Sequence, residues 1–90
     1  MPLQIRKSVM DMVAEASAEI ETLTVEQARG LLGQPGVTFV DLRDPRELWR
    51  EGGIPGAVNV TRGMLEFWID PASPYHKPLF ASGDKFVFFC

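Results

Sequence analysis

The sequence contains a single cysteine, Cys90, among its 90 residues. One cysteine cannot form an internal disulfide or a multi-cysteine zinc site, which excludes two common uses of cysteine in small domains. A buried apolar thiol and a reactive thiol are the two interpretations left. The one histidine, His76, lies in a proline-broken segment without a companion ligand, so we predict no metal site and no catalytic role for it.

The sequence also has no excess of positive charge. Nine basic and twelve acidic residues give a net charge of −3, and they are scattered along the chain. No basic stripe is therefore available to neutralise a phosphate backbone, and we expect no nucleic-acid partner.

Long uncharged apolar runs are missing from the first twenty residues. Both a signal peptide and a membrane span need such runs. We therefore expect a cytoplasmic protein without a membrane partner. The charges that interrupt this segment are Arg6, Lys7, Asp11, Glu15 and Glu19.

Ninety residues, 46% of them apolar, are sufficient for one small domain and leave no room for a second. We therefore expect residues 1–90 to form a single domain. A helix is predicted over residues 4–19 because apolar residues recur there at spacings of three and four. Plain packing of this stripe on the rest of the domain is the expectation; its members are Ile5, Val9, Met12, Val13, Ala16 and Ile20.

Strands and helices are predicted to alternate after residue 23. Apolar strands are expected at residues 37–42, 57–60 and 85–90, and they are near-continuous apolar runs, which is typical of strands buried on both faces. Helices are expected after the capping residues Thr24, Asp44 and Thr61; Gln27 completes the first cap, Pro45 follows the second, and the helix after Asp44 should end at Gly52-Gly53. The helix after Thr24 should turn Ala28, Leu31 and Leu32 inward and end at Gly33. This order predicts an α/β fold with an open parallel sheet and helices on both faces.

Two groups with chemical potential follow strands of this predicted sheet. Asp41 and Arg43 lie where one strand ends, and Cys90 lies where another ends. Functional sites of open parallel sheets form at the carboxyl ends of the strands, so these residues would meet at one edge. A loop and helix following Cys90 would stabilise a thiolate with amide groups and the helix dipole. A small apolar thiol at the end of a buried strand is an equally good interpretation.

Two sequence segments form a pair of motifs ahead of Cys90. Residues 40–48, with Asp41-Leu42-Arg43, precede residues 52–60, with Ile54-Pro55-Gly56-Ala57. Together they resemble the two-part signature of the rhodanese family, and the strand ending at Cys90 lies where that family has its active-site cysteine. The resemblance covers roughly residues 20–90 and implies a sulfurtransferase. It implies that Cys90 takes a sulfane sulfur from a small anionic donor such as thiosulfate, forms a persulfide, and passes the sulfur to a thiophilic acceptor without any cofactor.

Compared with that family, this chain differs at two points. Gly53 stands where members usually have histidine, which we interpret as variation without functional weight. The chain ends at Cys90, so the loop around the sulfur and the last helix and strand of the family are expected to be lacking. In the family the last strand inserts between the first strand and the one ending at the cysteine. We expect the 90-residue piece to be incomplete and inactive by itself. Either the rest of the domain follows Cys90, which would give an active sulfurtransferase, or another chain supplies the missing strand.

The remaining site residues have supporting roles in this interpretation. Asp41 is expected to satisfy loop amides. Arg43 and Glu47, four residues apart, are expected to pair and support the active-site loop, with a plain surface pair as an equal alternative. Arg62 and Trp68 are candidate linings of a substrate pocket, although a solvated arginine and a core tryptophan are simpler assignments.

Two further functions fit the same sequence. A phosphatase or arsenate reductase on the same fold would use a wider loop after the cysteine to bind phosphate-like anions. A non-catalytic interaction module would keep the fold and have an unreactive thiol. The oligomeric state is not determined by any of these observations.

Overall fold

The computed structural model describes residues 2–90. Four α-helices and three β-strands follow one another along this part of the chain, together with two short 3-10 helices, at Arg62–Met64 and Pro78–Ala81. None of these helices is long and apolar enough to cross a membrane. The elements are α1 (Val9–Glu19), α2 (Val25–Leu31), β1 (Val37–Asp41), α3 (Pro45–Glu51), β2 (Val58–Asn59), α4 (Leu65–Ile69) and β3 (Lys85–Phe89).

Helix α1 begins at Val9, five residues later than the predicted start at residue 4. Ser8 is its N-cap: the Ser8 hydroxyl accepts from the Asp11 amide, and the Asp11 carboxylate accepts from the Ser8 amide. This reciprocal pair satisfies two amide groups that the first helical turn leaves free. The capping box of Ser8 and Asp11 therefore sets the start of the helix, whereas the apolar spacing alone predicted a start at residue 4.

The apolar stripe of α1 does not pack on the rest of the protein, so the expectation of core packing is wrong for the described residues. No residue of α1 is buried, and Val9 and Met12 remain 70% and 56% exposed. Apolar spacing shows only that one side of a helix is hydrophobic. It does not determine whether a neighbouring surface covers that side.

Helix α2 begins as predicted. Thr24 and Gln27 form a capping box, with the Gln27 amide donating to Thr24 Oγ1 over 3.1 Å. Gly33 then adopts a left-handed conformation, with φ of 79°, and turns the chain towards β1. Ala28 and Leu31 are half-buried, but Leu32 is exposed, which corrects the expectation that all three point inward. Leu32 lies just beyond the helix and lines an apolar groove with Ala28, where nothing in the described residues covers it fully.

Between β1 and β3 the structure differs from the prediction at one element, the helix expected after Thr61. Asp44 caps α3 and Pro45 occupies its first turn, as the sequence predicts. Thr61 precedes a 3-10 helix, not an α-helix, and its side chain makes no capping bond. Helix α4 starts only at Leu65, because the tighter turn at residues 62–64 comes first.

The three strands form a parallel sheet in the order β2-β1-β3. Val40 and Asp41 of β1 are in register with Val58 and Asn59 of β2. On the other side, the five residues of β1 pair in register with the five of β3, so that Asp41 lies opposite Phe89. The predicted parallel arrangement is confirmed, and the carboxyl ends of β1 and β3 are direct neighbours.

Both faces of the sheet are covered in part. Alternation along a strand places Phe39 and Val87 on one face and Val40 and Phe86 on the other. Phe39 lines a groove together with residues of α2, whereas Phe86 contacts Phe80 of the second 3-10 helix at 5.1 Å between ring centres. The fully buried apolar side chains include Val40 and Val60, which lie at the centre of this small core.

Strand β3 forms an edge of the sheet in the described part of the chain. An apolar groove of about 760 Å³ separates its edge from residues 20–25 and α2. Phe88 is 44% exposed, which corrects the expectation that β3 is buried on both faces. The groove lies between residues 20–23 and the strand preceding Cys90. The family resemblance places its last strand between the first strand and the one that ends at Cys90. Within residues 2–90, β1 pairs directly with β3 along its whole length, so no strand lies between these two.

Candidate functional site

The carboxyl ends of β1 and β3 bring Asp41, Arg43 and the strand end at Cys90 to the same edge of the sheet. The amide of Leu42 donates to the carbonyl of Phe89 over 2.9 Å, which continues the β1–β3 pairing by one step. Cys90 follows Phe89 directly and has a free, exposed thiol. The expected placement of these three residues is therefore found, whereas their roles stay predictions.

Asp41 is buried, at 1% exposure, and its partner is Arg43. The Arg43 side chain donates through Nε to Asp41 Oδ1 over 3.0 Å and through Nη2 to Asp41 Oδ2 over 2.7 Å. The Arg43 backbone amide also donates to Asp41 Oδ1, over 3.0 Å. Asp41 thus accepts a hydrogen bond from a loop amide, as expected, and also forms a bidentate ion pair with the Arg43 guanidinium.

This ion pair shifts the acid–base equilibria of both residues. The hydrogen bond from the Arg43 side chain holds the pKa of the Asp41 carboxyl below its ordinary value, against the opposing effect of burial. The same bond raises the pKa of Arg43. Both groups are therefore charged at neutral pH, and the negative charge of Asp41 offsets much of the positive charge of Arg43.

The expected pairing of Arg43 with Glu47 is wrong. Arg43 pairs with Asp41, and its Nη1 lies 3.9 Å from Glu51 Oε2. Helix α3 begins only at Pro45, so residues 43 and 47 do not stand one helical turn apart on a common face. Glu47, half-buried in the first turn of α3, is therefore not the ion-pair partner of Arg43.

Asn59 belongs to the same cluster, although sequence reasoning gave it no role. Its Nδ2 donates to the carbonyl of Asp41 over 3.1 Å and to the carbonyl of Arg43 over 2.9 Å. Arg43 Nη2 donates further to the carbonyl of Gly52 over 2.9 Å. The ends of β1, β2 and α3 are thereby joined by side-chain hydrogen bonds. An asparagine at the end of a short strand beside the Ile-Pro-Gly-Ala turn was the available signal.

A cleft of about 360 Å³ lies beside Cys90. Its walls are formed by the end of β3, the end of α3 and the turn that follows it, and Arg43 contributes the cation. An added Cβ at Gly53 would lie too close to Leu48 Cδ1 and in contact with Arg43 Nη2, so the Leu48 side chain occupies the space that a side chain at this position would need. The lining residues are Arg43, Glu51, Gly52, Gly53, Ile54, Phe89 and Cys90.

Arg62 and Trp68 do not line this cleft, which corrects the suggestion that they border a pocket with Cys90. Arg62 is exposed and pairs with Glu66, one turn further on. Trp68 is half-buried; Lys77 Nζ lies 5.0 Å from its ring centre, and His76 Nδ1 is 2.9 Å from its carbonyl oxygen. Both residues match the simpler assignments, a solvated arginine and a packed tryptophan.

Within residues 2–90, no group of three or more histidine, cysteine or acidic side chains is close enough to bind a metal ion. The site offers an accessible thiol and an arginine fixed by a carboxylate. Such an arrangement is suited to nucleophilic attack by sulfur on an electrophilic centre of a small molecule.

An open parallel sheet with an exposed thiol at its carboxyl edge defines an α/β domain with a candidate cysteine site. The family model for the rhodanese-like domain matches residues 24–90 of this sequence. The chain belongs to the rhodanese-like domain family, and its fold agrees with that assignment.

A solved structure of similar sequence supports the fold. It is that of a protein of unknown function from Rhodopseudomonas palustris CGA009, described as a possible tyrosine phosphatase. The two sequences are 53% identical, and the superposition has a TM-score of 0.94. The match covers 100% of this chain and 70% of that one. No curated protein matches the sequence significantly.

Proposed function

We propose that this protein is a sulfurtransferase that carries a sulfane sulfur on Cys90, provided that its chain continues past Cys90 with the loop that surrounds the sulfur. The observation on which the proposal depends is the exposed Cys90 thiol at the carboxyl end of β3, opposite the end of β1 and beside Arg43. Membership of the rhodanese-like domain family supports this chemistry. The proposed location is the cytoplasm.

The proposed reaction has two steps at one sulfur atom. The Cys90 thiolate attacks the outer sulfur of thiosulfate, a new S–S bond forms, and the old S–S bond breaks with its electron pair leaving on sulfite. Cyanide or another thiophilic acceptor then attacks the outer persulfide sulfur, and the Cys90 thiolate leaves. Each step replaces one bond to the transferred sulfur by another, so no external oxidant or reductant is required.

Asp41 and Arg43 have a positioning role in this proposal. The Arg43 guanidinium donates three of its hydrogen bonds to Asp41 and one to Gly52, so it has little freedom to follow a substrate. Its charge is also offset by Asp41. We therefore assign the pair to the support of the cleft wall beside Cys90, and the binding of the anionic donor to the amides of a loop that follows Cys90.

Phosphatase activity is the second candidate, because the 53%-identical structure is described as a possible tyrosine phosphatase. The same thiolate would then attack phosphorus and form a phosphocysteine, with an alkoxide or phenoxide as leaving group. Both reactions need a nucleophilic Cys90. They differ in the transferred group, so the two candidates are separated by substrate and not by the nucleophile.

Mass spectrometry of the intact protein, in a form whose chain extends past Cys90, tests the proposal after incubation with thiosulfate. We expect one added sulfur atom, its removal by cyanide with formation of thiocyanate, and loss of both in Cys90→Ser. The matched control Lys7→Gln, which changes an exposed charge outside the cleft, should behave like the unchanged protein. Hydrolysis of p-nitrophenyl phosphate without sulfur uptake would favour the phosphatase. Absence of both activities would favour a non-catalytic interaction module.

A further inference from the structure

We propose that Asn59 is a positioning residue for Cys90. Asn59 is half-buried at the end of β2, and its Nδ2 donates to two carbonyl groups of the turn after β1. These carbonyls belong to Asp41 and Arg43, on either side of Leu42. One side-chain amide thus fixes two peptide groups of the segment that faces the strand end at Cys90.

The link from Asn59 to Cys90 passes through two planar peptide groups. The carbonyl of Asp41 and the amide of Leu42 belong to one peptide plane, and the carbonyl of Phe89 and the amide of Cys90 belong to another. The Leu42 amide donates to the Phe89 carbonyl over 2.9 Å, which joins the two planes. A rotation of the first plane therefore weakens or reorients the bond that holds the second, and Cys90 follows.

Asn59 adds a hydrogen bond to the Arg43 carbonyl, in addition to its bond to the Asp41 carbonyl, which the sheet also holds. The Asp41 carbonyl also accepts from the Val60 backbone amide, over 2.9 Å, so this group keeps one partner without Asn59. The bond from Asn59 to the Arg43 carbonyl is shorter than its bond to Asp41, at 2.9 Å against 3.1 Å. Asn59 therefore connects the carbonyl of Arg43 to the carbonyl of Asp41, the residue of β1 that lies opposite Phe89. The Arg43 side chain lines the cleft.

This inference rests on the proposed use of Cys90 as a nucleophile. A nucleophile that is held in one position reacts faster than one that samples several, because the reacting atoms spend more time at bonding distance and angle. Asn59 touches no substrate in this assignment. Its removal should therefore lower the turnover rate while leaving donor binding little changed.

Amide hydrogen exchange and nuclear magnetic resonance test the link in the purified protein. Asn59→Asp keeps the size of the side chain and removes both N–H donors. Asn59→Ala removes the side chain without adding charge, should the first variant fail to fold. In either variant we expect the Leu42 amide to exchange about tenfold faster, the size of effect produced by losing one net hydrogen bond. The amide resonance of Cys90 should shift at the same time.

The Lys85 amide is the internal control, because it donates to the Gly36 carbonyl over 2.8 Å at the opposite end of the same strand pair. Its exchange should stay within about twofold of the original rate, as expected for an opening confined to the far end. Equal acceleration of Leu42 and Lys85 would mean that Asn59 only stabilises the whole fold, and the inference would be wrong. An unchanged Cys90 resonance would also overturn it.

Activity measurements complete the test. With thiosulfate as donor, kcat should fall about tenfold in Asn59→Ala while KM stays within about twofold. A rise in KM of about tenfold with an unchanged kcat would contradict a positioning role. If the unchanged protein takes up no sulfur, the proposed function fails, and the exchange and resonance experiments still decide whether Asn59 orders the strand end.

Discussion

The carboxylate of Asp41 accepts hydrogen bonds from both the backbone and the side chain of Arg43, only two residues further along the chain. Asp41 ends β1, and Arg43 extends from there to the Gly52 carbonyl at the end of α3. A local pair of charges thereby connects the sheet edge to the turn that borders the Cys90 cleft. The first two predictions concern this pair.

Replacing Arg43 by glutamine should lower the free energy of unfolding by about 2–3 kcal/mol, because Asp41 would remain buried without its cationic partner. Urea denaturation measures this change, provided that the dependence of the unfolding free energy on urea concentration is the same in both proteins. Arg46→Gln is the matched control, since Arg46 pairs with Asp44 at 81% side-chain exposure. The control should cost less than about 0.5 kcal/mol. Equal losses in both variants would contradict a special role for the buried pair.

The stability of the protein should decrease in acid partly through Asp41. Its pKa is lower in the folded than in the unfolded protein, because Arg43 donates to the carboxylate. The ion pair therefore contributes fully above the ordinary aspartate pKa of about 4 and is lost as the pH falls through the lower folded value. We expect the unfolding free energy to fall less steeply from pH 5 to pH 2 in Asp41→Asn. Identical slopes would show that Asp41 adds nothing.

Two glycines near the end of α2 should respond in opposite ways to alanine. Gly30 lies inside the helix with open space around its Cα, so Gly30→Ala should stabilise the protein by about 0.5–1 kcal/mol. Gly33 has φ of 79°, a conformation that alanine adopts at a cost of about 1–2 kcal/mol. Thermal unfolding should show a higher melting temperature for Gly30→Ala and a lower one for Gly33→Ala than for the unchanged protein. A loss of stability in Gly30→Ala would contradict this account.

The same substitution at two valines measures whether α1 belongs to the core. Val40 has no exposed surface, whereas Val13 of α1 is 52% exposed. Val40→Ala should cost about 2–3 kcal/mol through lost burial and a cavity, and Val13→Ala less than about 0.5 kcal/mol. Denaturant unfolding compares the two directly. A cost at Val13 close to that at Val40 would show that a surface covers α1 in solution.

A side chain at Gly53 should be tolerated only if Leu48 moves. An added Cβ would lie too close to Leu48 Cδ1, the flexible end of a leucine. Gly53→Ala should therefore cost about 1–2 kcal/mol, and less in a Leu48→Ala background, which a double-mutant cycle detects. Gly63→Ala is the control, because nothing lies near its added Cβ. Additive costs at positions 48 and 53 would rule out the contact.

Local signals in the sequence predicted much of the fold. Thr24 with Gln27 and Asp44 with Pro45 marked the starts of two helices, and both caps form between residues two or three apart. Gly33 and Gly52 marked helix ends, where φ reaches 79° and 80°. Such features depend on a few adjacent residues. They can therefore be derived before the rest of the chain is placed.

Two expectations that depended on distant or competing partners were wrong. Arg43 was expected to pair with Glu47, but its ion-pair partner is Asp41, and its Nη1 lies 3.9 Å from Glu51. The stripe of α1 was expected to be covered and is exposed. Arg62 and Trp68 were candidates for a pocket and lie outside the cleft beside Cys90. Asn59 was missed because its two acceptors lie 16 and 18 residues away.

The motifs at residues 40–48 and 52–60 carry the likeness to the rhodanese family, and that likeness is what made Cys90 the candidate nucleophile. The alternation of helices and strands and the turns at glycines could also be derived before the chain was folded, because they follow from local hydrogen bonding and from the periodicity of apolar side chains. Which charges pair, which apolar faces are buried and which side chains surround Cys90 became known from the folded structure. Such contacts depend on strand order, register and side-chain direction, and residues far apart in the chain fix those together.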